Sequence, residues 1–340
     1  MIEPIQHSGH AVWARSLTHN HRFDILVTGK SKFSISTEGL KIGDIGGRNS
    51  SYRSVSHFLC GLGISISPSF VVSFSLTHKR HFRIGFRKKN KMLSIFEEIL
   101  SGPRPTLLSE FPMTQDLRLL VLAPHPDDFD EIGVTLKFFL DKGIPIFISV
   151  LSSGASGVED DFCPSMFANK KAAVREQEQR ESCKFFGLPD SHLEFLRLSE
   201  DHDGHILDNS HNLKHIRHCI NEIRPAFVFL PHGNDTNADH RLTFEMFTRV
   251  ATETKFPLGA FLNRDPKTIN MRYDFFTPFG SDEAEWKAVL LRFHASQQER
   301  NINTRNMGFD ERVLEINRQI ARECPGKHEY AEAFEYSFWE

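Results

Sequence analysis

From residue 117 onward, two hydrophobic patterns alternate along the chain. Short apolar runs at 117–123, 144–151, 192–198 and 226–231 read as strands. Between them, 130–142, a long polar segment reaching about 186, and 209–223 carry helical spacing, and Gly187 stands where a C′ glycine would end the second helix. Strands alternating with helices predict a mainly parallel sheet with helices on both faces. Ligands of such sheets bind beyond the carboxyl ends of the strands.

Residues 22–100 follow a shorter period. FDILVTG, KFSIST, GLKIGDI, SYRSVSHF, ISISPSFVVSFSL and RHFRIGF are brief pieces broken by Gly, Asn and Ser, and they predict strands. The segment 88–100 then takes helical spacing. Strands followed by one helix resemble a pleckstrin-homology-like barrel in pattern. SGPRPTLLSEFP, 101–112, predicts a linker. The expected organisation is a small β-rich N-terminal domain with its linker at 1–112 and an α/β domain at 113–340. The 19 uncharged residues of 58–76, with a basic flank behind them, have the length of a membrane span. Their apolar positions alternate with serines and a proline interrupts them, which favours strands.

Composition changes this picture little: 39% hydrophobic and 25% charged residues suit a globular protein. The formal net charge of −3 hides an asymmetry, because residues 1–115 hold 15 Lys/Arg against 7 Asp/Glu. Such a basic stretch predicts a peripheral contact with anionic lipid head groups. Nucleic acid is not expected, since no aromatic stacking positions separate from the core phenylalanine pattern. The cysteines, Cys60, Cys163, Cys183, Cys219 and Cys324, are odd in number and form no CxxC. This argues against a disulfide framework and fits a reducing, cytoplasmic setting. The N-terminal MIEPIQHSGHAVW has no apolar h-region and is not expected to be a secretory signal.

The chemistry gathers at two strand ends. APHPDD places His125, Asp127 and Asp128 just after the first strand, and NADH places Asp239 and His240 after the fourth. Clustered carboxylates resist desolvation unless a positive group is held among them. Two imidazoles and a carboxylate suit a divalent metal, with one position left for water, whose pKa such a metal lowers to roughly 7. Asp127, beside Asp128, is placed to take that water's proton.

APHPDD, then LSSGASG, REQEQRESCKFFGL, NADHR and FHASQ together resemble the LmbE/PIG-L family of zinc-dependent N-acetylglucosaminyl deacetylases, over about 117–334. The resemblance implies a doubly wound, Rossmann-like α/β fold. It also implies a hydrolase that removes acetate from a GlcNAc-like sugar or glycolipid. His125, Asp128 and His240 would hold Zn2+, with Fe2+ or another divalent cation as alternatives, and Asp127 would be the general base. Arg175 and Glu178 fall at the family's substrate-side Arg-x-x-Glu, and Asn237 and Asp239 would face substrate. Where the family often reads HxDH, this chain has Asn237, and an amide cannot supply a proton. The expectation is either altered activity or a proton from another group such as His232 or His294. A second function class stays open: a non-catalytic module of this fold that binds a glycan or lipid head group. His211, His215 and His218 share one face of a predicted helix, but they lack a carboxylate partner and predict a solvated face.

Overall fold

The computed structural model describes the backbone of the strands at 3–6, 11–18, 21–28, 70–76 and 82–88, and residues 101–111, 117–164 and 167–339. Contacts divide the chain into two compact units, Met1–Glu98 and Ile99–Glu340.

In the first unit, β1 (Glu3–Gln6), β2 (Ala11–Thr18), β3 (His21–Thr28), β4 (Phe70–Leu76) and β5 (Phe82–Lys88) form one sheet in the order β1-β2-β3-β5-β4. The pairs β1–β2, β2–β3 and β4–β5 are antiparallel, whereas β3–β5 is parallel. Residues 70–76 of the membrane-length run form β4, and 58–69 lie outside the described residues. Among the described residues no helix is long and apolar enough to cross a membrane. β1 and β2 lie upstream of the region expected to be β-rich. The strands expected at 32–37, 39–45 and 51–58 lie outside the described residues, as does the helix expected at 88–100 except for Lys88, which ends β5.

The second unit is built on eight strands. They are β6 (Thr106–Leu107), β7 (Leu119–Ala123), β8 (Ile146–Val150), β9 (Leu193–Phe195), β10 (Phe227–Pro231), β11 (Leu258–Asn263), β12 (Phe275–Phe279) and β13 (Tyr330–Trp339). The order is β6-β12-β13-β11-β10-β7-β8-β9. The five strands β9-β8-β7-β10-β11 run parallel, and β13 pairs antiparallel with β11 and β12. From β7 the chain winds outward to β8 and β9, then returns to β10 and winds the other way to β11. The β7/β10 boundary is therefore the topological switch point, where a crevice opens at the carboxyl ends.

The helices are α1 (Gly133–Asp141), α2 (Ala168–Phe186), α3 (Ser210–Ile223), α4 (Ala238–Ala251), α5 (Ser281–Arg292), α6 (Ala295–Arg305) and α7 (Phe309–Glu323). Every residue of β7, β10 and β11 is buried, because both sheet faces are covered. Alternate side chains go to opposite faces. Leu120, Leu122, Val228, Leu230, Ala260 and Leu262 pack with Ile216 and Ile220 of α3 and Met246, Phe247 and Val250 of α4. On the other face Phe229 meets Phe139 of α1, their ring centroids 5.8 Å apart.

Two expectations need correction. Residues 101–112 are not merely a linker: β6 pairs with β12, Leu108 is buried, and Phe111 packs edge-on against Phe227, Phe261 and Phe275. A two-residue strand has no period to read. The strand expected at 192–198 shortens to β9, whose side chains are only partly covered because it ends the sheet.

A buried ion pair ties this scaffold to the loop after β7. Glu332 of β13 accepts hydrogen bonds from Val134 N (3.2 Å) and Thr135 N (2.8 Å), the otherwise unpaired donors at the start of α1. Lys287 of α5 reaches Glu332 Oε1 (2.7 Å), Asn317 Oδ1 (2.8 Å) and the carbonyl of Glu131 (2.5 Å). Both side chains are almost fully buried. Breaking such a pair from one side leaves a charge uncompensated. Lys287→Met is expected to cost roughly 3–5 kcal/mol, measured by denaturant unfolding. Lys287→Met combined with Glu332→Gln should recover part of that loss. An unchanged midpoint in the single variant would show that the pair does not anchor α1.

Candidate metal centre

The loop after β7 and the first turn of α4 meet at the switch point, and the Asp128 carboxylate lies between two imidazoles. Its Oδ2 accepts from His125 N (2.7 Å) and is 3.1 Å from His125 Nδ1; its Oδ1 is 3.3 Å from His240 Nε2. Each ring's other nitrogen faces a further carboxylate. His125 Nε2 is 3.1 Å from Asp239 Oδ2, and His240 Nδ1 is 2.9 Å from Asp265 Oδ2 and 3.3 Å from Asp235 Oδ2. An outer carboxylate on the far nitrogen is how metal-binding histidines are usually oriented.

The charges are coupled. Burial alone would lower both histidines. Asp128 holds His125 above its ordinary value, and Asp128 with Asp265 holds His240 well above it, although Lys267 opposes the latter. Against burial, the two imidazoles pull Asp128 well below the usual carboxylate range. Asp265 likewise falls to about 2 through His240 and Lys267, although burial opposes it. Glu131 goes the other way: burial, then the negative charges of Asp265, Asp128 and Asp127, raise it well above normal. The pocket favours positive charge.

The donor set fits a divalent cation. Ligand atoms of His125, Asp128 and His240 lie within 4.8 Å of one another, and Asp128 Oδ1 is buried without a hydrogen-bond partner. Two further groups meet the same distance criterion among the described residues. Asp235, His240 and Asp265 share His240 through Nδ1 and serve as its orienting carboxylates. Asp201, His202 and Asp203 are exposed surface groups.

Asp127 is held under strain. Its φ is +109°, a left-handed value that costs a non-glycine residue about 1–3 kcal/mol. Helix α2 clamps it there. Gln179 Oε1 accepts from Asp127 N (2.9 Å), and Arg175 Nη2 lies 3.2 Å from Asp127 Oδ2 and also donates to the Pro126 carbonyl. Gln179 Nε2 in turn donates to Asp130 (3.1 Å), a buried carboxylate that also takes Ser182 Oγ and lies 2.8 Å from His294 Nε2. The FHASQ and REQEQR segments thus meet the HPDD loop inside the core. Gly154 closes this wall: its φ is +62°, and a Cβ there would come within 2.9 Å of Pro126.

The structure brings together His125, Asp127, Asp128, Asp239, His240 and Arg175. Three expected site residues have their polar groups engaged within the protein. Glu178 is buried and accepts from Ser296 N and Oγ, both at 2.7 Å, which caps the start of α6. Asn237 is the N-cap of α4, with its side-chain oxygen accepting from Asp239 N (2.9 Å). Asp239 uses Oδ1 on Ile206 N (2.9 Å) and Oδ2 on His125. The candidates for a proton donor are also tied elsewhere. His294 is fully buried on Asp130, and His232 pairs with Glu335. On α3, His211 and His215 approach to 3.2 Å on an exposed face.

Sequence reasoning missed Asp235, Asp265, Lys267, Glu131 and His205. His205 is a half-exposed imidazole whose Nδ1 is 3.3 Å from Asp239 Oδ2. The carboxyl-end rule, applied to β11 as well, would have found Asp265 and Lys267.

A doubly wound sheet with a His/Asp cluster at its switch point defines a class of α/β proteins. Residues 120–251 match the PIG-L family, described as GlcNAc-PI de-N-acetylase, so a PIG-L (LmbE-like) domain is found at those residues. No curated protein matches the chain. Among solved structures, the chain is similar to N,N'-diacetylchitobiose deacetylase from Pyrococcus horikoshii at 17% identity and a TM-score of 0.56, covering 72% of this chain and 91% of that one. It is also similar to GalB, the 4-carboxy-2-hydroxymuconate hydratase from Pseudomonas putida KT2440, at 18% identity and a TM-score of 0.52, covering 66% and 97%. At such identities the likeness shows the fold, and a deacetylase and a hydratase on one fold leave function to be argued from the site.

Asp128→Asn and His240→Gln are expected to weaken Zn2+ or Co2+ binding by about a hundredfold or more, and Asp239→Asn, which disturbs only orientation, by about tenfold. Binding should release protons from the two histidines, so affinity should rise with pH. Calorimetry in buffers of different ionisation enthalpy measures both. Equal affinity in wild type and Asp128→Asn would remove this site.

Proposed function

We propose that the second unit is a divalent-metal-dependent N-deacetylase that releases acetate from an N-acetylated, GlcNAc-like sugar or glycoconjugate. The observation that carries this reading is the Asp128 carboxylate held between two imidazoles, with Asp127 next to it in the chain. A cation held by His125, Asp128 and His240, with Zn2+ the first choice, would polarise an amide carbonyl and acidify a water.

The protein's own residues supply the rest. Water adds to the amide carbon, the C–N bond breaks, and acetate and a free amine leave. Asp127 Oδ takes the water's proton, and Arg175 and Gln179 hold its carboxylate and its strained backbone in place. Asp239 holds the His125 ring and also carries His205. We assign His205 to the delivery of a proton to the leaving amine, because Asn237 is committed to its helix and cannot donate one. Arg175 and Glu178 act on substrate through the loop and helix they fix, not by direct contact.

Acetate release from a panel of GlcNAc conjugates tests the reading. Asp127→Ala should bind metal as wild type does and lose turnover by about 10²–10⁴-fold, the usual worth of a general base. His205→Gln should lower kcat by tenfold or more, with KM little changed. Full activity in Asp127→Ala would refute the assignment of the base. Metal-loaded protein that releases acetate from no conjugate would favour the non-catalytic glycan-binding class, for which the capping role of Asn237 speaks.

A further inference from the structure

Lys267 stands in the turn that follows β11. The Asp265 carboxylate builds that turn, its Oδ1 accepting from Lys267 N (2.6 Å) and Thr268 N (3.0 Å). From there the lysine side chain reaches His240, and Nζ lies 3.4 Å from His240 Nε2. This is the nitrogen that faces Asp128. The other nitrogen, Nδ1, faces two carboxylates, so it carries the ring proton when the imidazole is neutral. Nε2 is thus the nitrogen that must present a free lone pair to ligate a metal, and the Lys267 ammonium, which has donors and no acceptor, stands directly beside it. Against burial, the negative charge of Asp128, then of Asp265, Glu131 and Asp127, favours the charged form of the ammonium.

A divalent cation ligated by His240 needs that same lone pair, at about 2.0–2.1 Å. Two positive centres on the lone-pair side of one nitrogen, the second only 3.4 Å from it, repel strongly in a buried pocket. We propose that the Lys267 ammonium and the divalent cation compete for His240 Nε2, so that Lys267 sets the metal affinity of this site and swings out of the pocket when metal enters. The inference rests on the metal-site reading above and adds to it a resident competitor from the protein's own chain. It explains how several buried carboxylates can be gathered here whether or not a metal is bound.

Two measurements on the 340-residue chain test it. In calorimetric titration with Zn2+ or Co2+, Lys267→Met should bind at least about tenfold more tightly than wild type, and Lys267→Arg, which keeps a cation, should stay near wild type. On the wild-type chain, acylation of lysines mapped by mass spectrometry should show Lys267 becoming more reactive on addition of Zn2+. The exposed Lys184 and Lys327 serve as unchanged references. Equal or weaker metal binding by Lys267→Met, or labelling of Lys267 that falls or stays constant with metal, overturns the competition while leaving the metal site standing. Absence of binding in wild type and Lys267→Met alike overturns the site, and the competition with it.

Discussion

The structure of the candidate site follows from one electrostatic constraint: a carboxylate, Asp128, buried between two imidazoles at the switch point of a parallel sheet. Like charges about 4 Å apart repel by about 4 kcal/mol at a protein-like dielectric. Asp127, Asp128, Asp235, Asp239 and Asp265 can share this crevice only if positive charge is held among them. The chain supplies some of it through raised histidines and Lys267. A bound dication would supply more. The outer carboxylates on the far ring nitrogens turn both lone pairs toward the same place, and this convergence separates a ligand set from a patch of acids.

The scaffold serves that geometry from several directions. Sheet order places β7 beside β10, which joins loops more than a hundred residues apart. From α2, Arg175 and Gln179 hold Asp127 in a backbone conformation it would not choose alone. From β13, Glu332 receives the start of α1, and Lys287 of α5 locks that carboxylate and the Glu131 carbonyl. Asp130 and His294 fill the space behind. Glu178 and Asn237 cap the starts of α6 and α4.

Much of the α/β unit was legible in the sequence, for physical reasons. Strands buried on both faces read as apolar runs, helices carry a 3.6-residue period, and Gly187 marks a helix end through its left-handed backbone. His125, Asp128 and His240 were legible because their residue types at strand ends have few structural uses. Asp265 and Lys267 were not, since they lie in an aperiodic turn whose importance depends on β11 standing beside β10. The clamp on Asp127 was equally hidden: an Arg and a Gln on a polar helix look like a solvated face until the helix is seen buried against the loop. The pairing of 106–107 escaped because an edge contact of two residues leaves no pattern.

His125, Asp128 and His240 are expected to grip one cation together. X-ray absorption of the zinc-loaded 340-residue chain reads the coordination shell directly. Two imidazole nitrogens and at least one oxygen at about 2.0–2.1 Å from zinc are predicted. A shell of sulfur, or one without histidine scattering, would show that these three residues do not hold the metal.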